Sequence, residues 1–249
     1  MVRHMGPASV ELRYFGCRGR GQALRYALID AGVDFADVVF QADQSWPEHK
    51  ASPGISGPFS ALPLLIWGDH RVAQTLAIAA YISRQLGQYA GRADDEIAGR
   101  ESVTSAAYLD FTSLVSELFR PRLVPVAEQW SLYFSWFIPR ITARPAGLER
   151  LLATSAAPFF GGTAPVVADY FVFEALDVWL ELLGAPFEQV LQYCPRLRQH
   201  RATLAARPAL AAYLASGRRP SSLTASPLEP EIRERLSEHV SSLTRAGAT

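Results

Sequence analysis

The hydrophobic pattern changes its period once along this chain, close to residue 90. Before that point apolar residues alternate over short runs. Val10, Leu12 and Tyr14 fall on one side of residues 10–16 and Glu11 and Arg13 on the other, which predicts a strand. Residues 22–31 place Leu24, Ala27, Leu28 and Ala31 at helical spacing, and Gly32 supplies the C-terminal stop. A strand is expected over 35–40, and segments 64–67 and 70–73 flank Gly68 and Asp69 as a hairpin. Residues 75–86 carry Ile78, Ile82 and Leu86 on one helical face, ended by Gly87. Between these, residues 41–61 hold Pro47, Pro53, Pro58, Gly54 and Gly57 and predict an irregular loop with at most one short helix. Residues 10–88 thus read as one α/β unit.

Beyond the polar, glycine-bearing linker at 89–96 only helical periodicity remains. Residues 101–119 present a stripe of Val103, Ala107, Leu114 and Leu118, and Pro121, Pro125, Pro139 and Pro145 punctuate the stretch from 120 to 145. Residues 168–183 set Phe171, Ala175, Val178 and Leu182 on one side and Glu174, Asp177 and Glu181 on another. Pro195 and Pro208 stand where helices begin, and Gly217 closes the second of that pair. Past Pro220 a Ser/Pro-rich hinge leads to Ile232, Leu236, Val240 and Leu243 at helical intervals. The expectation is an α/β domain over 10–88, an all-α domain over 97–222, and an amphipathic tail over 223–249.

Charge and composition narrow the function classes. The 249 residues carry 24 basic and 24 acidic side chains, and this balance argues against a nucleic-acid or anionic-membrane partner, which needs a basic face. The most apolar region, 166–183, is broken by Asp169, Glu174, Asp177 and Glu181, so no membrane-spanning run is expected. No hydrophobic run follows the basic residues of segment 1–9, and Cys17 and Cys194 are too few for a secreted disulfide framework. A cytoplasmic protein is expected. His4, His49, His70, His200 and His239 lack metal-ligand spacing, so no metal is expected.

Three local features bear on chemistry. Gly16, Gly19 and Gly21 match neither nucleotide-binding glycine pattern, but they precede a helix, where exposed amides and the dipole favour an anion or thiolate. Cys17 lies near that helix start, which allows a nucleophilic thiol; a small buried side chain is the other reading. Leu62-Pro63 directly precedes a strand, either as a cis peptide exposing the Leu62 backbone to a ligand or as an ordinary trans proline. Lys50 is the only lysine in the chain, and its compact ammonium is not equivalent to a guanidinium.

Taken together, the run from Leu12 to Arg25, Leu-Arg-Tyr-Phe-Gly-Cys-Arg-Gly-Arg-Gly-Gln-Ala-Leu-Arg, resembles the N-terminus of cytosolic glutathione S-transferases of the tyrosine type. Trp46-Pro47-Glu48-His49-Lys50 is similar to a sigma-class segment, while Leu62-Pro63 and Gln74-Thr75 match the family's cis-Pro and Gln-Ser/Thr signatures, the latter in alpha-class form. The resemblance implies a thioredoxin-like domain followed by a helical-bundle domain, glutathione as co-substrate, a hydrophobic electrophile and a homodimer. By position Tyr14 would be the catalytic hydroxyl, a neutral phenol able to donate to a thiolate, with Arg20 adding charge beside the sulfur. Trp46 and Lys50 would hold the glycine carboxylate of glutathione. Leu62, ahead of Pro63, would pair its backbone with the cysteinyl part. Gln74 and Thr75 would bind the γ-glutamyl carboxylate, and Asp110 the γ-glutamyl amine of the neighbouring subunit. Phe15, Gly16, Tyr108, Phe111 and Thr112 would wall the electrophile pocket.

Other positions depart from the family or stay open. Cysteine-type relatives place their nucleophile at the Arg20 position, not at Cys17. Phe59 corresponds to an aromatic that some classes insert into the partner subunit; packing in the chain's own core is the alternative. Val166 stands where the family places a helix-capping Ser or Thr before Asp169, so a broken capping box is expected. The aromatics Trp130, Tyr133, Phe134, Trp136 and Phe137 either line a pocket or pack as core, with core favoured. The tail either closes over the site or lies elsewhere. Three functions fit: a transferase, a glutathione-dependent isomerase or synthase, and a non-catalytic glutathione-binding structural protein.

Overall fold

The computed structural model describes residues 9–119 and 129–246, and within them the change of period is a change of architecture. The segments containing His4, Pro121 and Pro125 lie outside the described residues. Strand β1 (Val10–Phe15) pairs in parallel with β2 (Ala36–Phe40) and antiparallel with β3 (Leu64–Trp67), which forms a hairpin with β4 (His70–Ala73). The sheet order is β2-β1-β3-β4. Helices α1 (Gln22–Asp30) and α4 (Thr75–Gln85) share one apolar core with the sheet, in which Leu12, Leu24, Leu65, Ile78 and Ile82 are fully buried.

Segment 41–61 holds two short helices, α2 (Trp46–Ala51) and α3 (Pro53–Ser56), rather than at most one. Pro47 and Pro53, read as breakers, sit in their first turns, where the missing N–H costs nothing and the fixed φ suits a helix.

The helical part begins with α5 (Asp94–Ala107), which passes through a π-helical turn, Tyr108–Thr112, into α6 (Ser113–Leu118). The apolar stripe of 101–119 predicts one uninterrupted helix here, and the π-turn breaks it. Helices α7 (Trp130–Thr142), α8 (Pro145–Ala153), α9 (Val167–Leu183), α10 (Ala185–Gln192), α11 (Pro195–Ala205), α12 (Pro208–Ala215) and α13 (Glu229–Ala246) follow. Trp130, Phe134 and Phe137 are core, as favoured, while Trp136 is exposed under the Arg140 guanidinium, 4.2 Å from its ring centroid.

Helix α9 packs against α1, α4, α5, α10, α11 and α13 and is buried on both faces. Its entry corrects the expectation of a broken box. Asp169 Oδ2 accepts the Val166 N–H at 2.8 Å, and the Asp169 N–H returns to the Val166 carbonyl at 2.9 Å. Asp169 Oδ1 takes the Phe160 N–H at 2.8 Å and meets His200 Nε2 at 2.9 Å. The main chain of Val166 thus replaces the missing hydroxyl.

Candidate active site

Tyr14 ends the inward face of β1 and packs with Cys17, Leu62 and Leu64, against which Phe15, Phe40, Trp46 and Ala73 also lie. The residue is only 6% exposed. Its hydroxyl accepts the Arg20 N–H at 2.9 Å, so the oxygen is satisfied as an acceptor and its own proton is left to give. Burial, reinforced by the neighbouring Cys17 and Tyr108, outweighs the Arg20 amide and guanidinium and holds its pKa well above the ordinary 10. Tyr14 is therefore a neutral donor throughout the physiological range.

The glycines of the following loop are explained by this phenol. A Cβ at Gly19 would stand 2.5 Å from the Tyr14 hydroxyl oxygen, and one at Gly21 would stand 2.5 Å from Tyr14 Cδ1. The bare backbone lets the chain turn around the ring and start α1 directly beyond it. Arg25, one turn into α1, fixes the same loop. Its guanidinium donates to the Cys17 carbonyl at 3.0 Å, the Phe15 carbonyl at 3.2 Å and Asp37 at 2.9 Å, and lies 5.7 Å from the Tyr14 ring centroid.

Of the other expected glutathione ligands, Leu62 belongs to this cluster and Trp46 packs against it. Leu62-Pro63 is cis, and both residues precede the last antiparallel register pair, Arg13 with Leu64, which leaves the Leu62 peptide groups outside the ladder. Trp46 stands edge-on to Phe15, centroids 4.8 Å apart, at the start of α2, and exposed Lys50 lies one turn on. Gln74 caps α4 with φ 74°, ψ 123°. A non-glycine residue at positive φ costs about 1–3 kcal/mol and persists where the surroundings impose it, often at ligand sites. Gln74 is exposed there, and Thr75 beside it is buried at the helix N-terminus.

The pocket wall divides. A cavity of about 370 Å³ is bordered by Phe15, Gly16 and Cys17, by Phe40 and residues 41–43, and by Thr224 to Pro227. Tyr108 is half-buried and near enough to bear on Tyr14 ionisation. Phe111 and Thr112, at 1% and 9% exposure, are sealed into the helical part instead. Asp110 is not brought to the Tyr14 cluster: its carboxylate bridges Arg144 at 3.1 Å, beside α8. Phe40, visible only as a strand residue, is lining that sequence reasoning missed. The 224–227 segment belongs to the tail, whose closing over the site the sequence left as one of two alternatives.

Arg18 was missed too. Its side chain is buried against the acidic stripe of α9, with Nε 2.9 Å from Glu174 and further bonds to Asp177 at 3.2 Å and Glu181 at 2.5 Å. Burial opposes its charge, but Glu174 beside it more than compensates, and the guanidinium is held above its ordinary pKa. Among the described residues no group of three or more His, Cys, Asp or Glu is arranged to hold a metal, and no helix is long and apolar enough to cross a membrane.

Comparison with known proteins agrees with this fold. The family model for the glutathione S-transferase N-terminal domain matches residues 10–84, and that for the C-terminal domain matches residues 135–217. Glutathione S-transferase 1 of Ascaris suum is 29% identical over 174 residues, covering 70% of this chain and 81% of its own length. The class-mu 28 kDa glutathione S-transferase isozyme of Schistosoma japonicum is 27% identical over 211 residues, 82% of this chain and 96% of its own. The crystal structure of the Ascaris lumbricoides glutathione S-transferase superposes with a TM-score of 0.69 at 25% identity, over 87% of this chain and 100% of that one. With both domain models matched in order over more than half of its length, and with the same mixed sheet and helical array, the chain belongs to the cytosolic glutathione S-transferase superfamily.

Proposed function

We propose that this enzyme conjugates glutathione to hydrophobic electrophiles in the cytoplasm, with Tyr14 as the thiol-activating residue and Arg20 beside it. The observation that carries this reading is the buried Tyr14 hydroxyl, whose oxygen already accepts the Arg20 amide and whose own proton is left to give. An ordinary thiol near pKa 8.5 is mostly protonated at neutral pH; lowering it by about two units takes roughly 2.7 kcal/mol. A hydrogen bond to a charged acceptor supplies about 1.5–3 kcal/mol of this, and the Arg20 charge the rest. The thiolate then attacks the electrophile and the new C–S bond displaces the leaving group or is followed by protonation.

Trp46 and Lys50 are assigned to the glycine carboxylate, Leu62 ahead of cis Pro63 to the cysteinyl backbone, and Gln74 with Thr75 to the γ-glutamyl carboxylate. The cavity between Phe15, Gly16, Phe40 and the returning tail, with Tyr108 nearby, is assigned to the electrophile. This division places glutathione on residues 10–88 and the second substrate between them and the helical region. A homodimer is part of the reading, supported by Phe59, which is 62% exposed and so not core. Asp110 is assigned to the partner subunit's γ-glutamyl amine, an ammonium that would compete with Arg144 for its half-buried carboxylate.

The test is the thiolate absorbance of enzyme-bound glutathione against pH. Tyr14→Phe is expected to raise the bound thiol pKa by about 1–2 units and to slow conjugation at pH 6.5 about 5- to 50-fold. Cys17→Ser is expected to leave both near wild type. Binding without any depression of the thiol pKa would instead favour a non-catalytic glutathione-binding protein.

A further inference from the structure

The chain beyond the matched C-terminal domain returns to the loop that follows Tyr14. The Arg18 N–H donates to the Ser222 carbonyl at 2.9 Å and the Gly19 N–H to the Leu223 carbonyl at 2.8 Å. These two adjacent bonds fix the peptides leading into Arg20. The next amide along, that of Arg20, is the one that donates to the Tyr14 hydroxyl.

The 222–224 strap is gripped in turn by one carboxylate. Glu229, at the start of α13 and 5% exposed, accepts the Leu223 N–H at 2.8 Å on Oε1 and the Thr224 N–H at 2.8 Å on Oε2. It also takes the Thr224 hydroxyl at 3.2 Å and Arg233 Nε at 2.9 Å. Arg233 donates as well to Glu181 at 2.9 Å, and Glu181 accepts from Arg18 at 2.5 Å. The circuit closes on itself: catalytic loop, strap, Glu229, Arg233, Glu181 and back through Arg18. Charge-assisted bonds from one carboxylate to two successive amides hold a turn more firmly than neutral acceptors would.

From this circuit we propose that Glu229 is a positioning residue for thiol activation: by fixing the 222–224 strap it sets the 18–20 peptides, and through the Arg20 amide it directs the Tyr14 hydroxyl toward the glutathione sulfur. The inference rests on the Tyr14 reading above. Its competitor is a fastening that merely docks α13 and affects stability alone.

Three readouts on the full-length enzyme separate these: amide hydrogen exchange over residues 18–20, the bound-thiol pKa, and kcat against KM for glutathione. In Glu229→Gln, exchange at these amides is expected to speed about tenfold as the local opening becomes easier. The bound-thiol pKa is expected to rise by about half a unit, and kcat at pH 6.5 to fall about twofold, the matching loss of thiolate from a group about half ionised there. KM for glutathione should stay within about twofold, because Glu229 touches none of the residues assigned to that ligand. Arg233→Met, at a more exposed link of the circuit, should shift the same quantities in the same direction by less. It carries the test if Glu229→Gln does not fold.

Faster exchange with an unchanged thiol pKa and kcat, in variants that are merely less stable, would overturn the proposal, as would unchanged exchange. Tyr14→Phe, measured in parallel, tells the two failures apart. If it raises the thiol pKa while Glu229→Gln does not, only the role of Glu229 falls. If it does not, the Tyr14 reading itself is wrong and the role of Glu229 falls with it.

Discussion

A methyl group at Gly21 would meet Tyr14 Cδ1 at 2.5 Å and Cγ at 2.8 Å, atoms near the base of a packed ring that cannot swing aside. Gly21→Ala is therefore expected to destabilise the fold by about 1–3 kcal/mol in urea unfolding, the usual cost of overpacking, and to raise the bound-thiol pKa. Wild-type stability and thiol pKa in that variant would show that the loop has slack. The sequence made the need for glycine here plain, but not what approaches it. The triplet reads equally well as a cradle for an anion, and only the fold brings a phenol against it. The buried ion pairs were less legible. Arg18, Arg25 and Glu174 are charged residues in ordinary polar positions, and nothing local distinguishes a solvated arginine from one that meets a carboxylate more than 150 residues away. Tyr14, Arg20, Lys50, Gln74 and Thr75 were assigned through family resemblance rather than spacing, because spacing along the chain does not show which elements come together.

Helix α9 shows the same limit at the scale of an element. Its periodicity correctly places Phe171, Ala175, Val178 and Leu182 on one face and Glu174, Asp177 and Glu181 on another, but a helical wheel cannot say that the acidic face is covered. That face meets Arg18, Arg201, Arg219 and Arg233. Burial pushes the Asp177 carboxyl up, but the hydrogen bond from Arg201 and the charges of Arg18 and Arg219 outweigh it and hold the group below its ordinary 3.8. The unfolded chain therefore binds a proton at Asp177 before the folded one does. The stability it contributes is full above the unfolded value and is lost as pH falls through the folded one. Asp177→Asn should lower the melting temperature at pH 7, and the gap from wild type should narrow as pH falls below about 4. A gap independent of pH would mean that Asp177 contributes packing rather than charge. The N-terminus of α9 gives a second prediction. Asp169→Ala removes the acceptor for two amides and the partner of buried His200, and should cost about 3–5 kcal/mol, the scale of a buried pair broken on one side. A loss near the roughly 1 kcal/mol of an exposed cap, measured by denaturant unfolding, would contradict the coupling to His200.

For the whole molecule, the order of elements was legible because an alternating stretch followed by uninterrupted helical periodicity leaves few packings. The short helices α2 and α3, the π-helical turn and the return of the tail were not, since each depends on what the segment packs against. Phe59 carries the remaining question at this scale. It lies on the loop between α3 and the cis Leu62-Pro63 bond, 62% exposed and flanked by exposed Pro58 and Ser60, so the chain's own core gives it no site. An aromatic ring costs about 1.5–3 kcal/mol to leave in water, and two-fold symmetry would bury two copies of it at once. Phe59→Ser is then expected to weaken the dimer by about 3–6 kcal/mol, a rise of roughly two to four powers of ten in the dissociation constant. Sedimentation equilibrium over a micromolar concentration series measures this directly. A wild-type chain that sediments as a monomer, or a variant that dimerises as tightly as wild type, would remove Phe59 from the interface. Since Asp110 is assigned to the partner's glutathione, monomeric Phe59→Ser should also show a raised KM for glutathione while Tyr14, within its own subunit, keeps the bound-thiol pKa depressed.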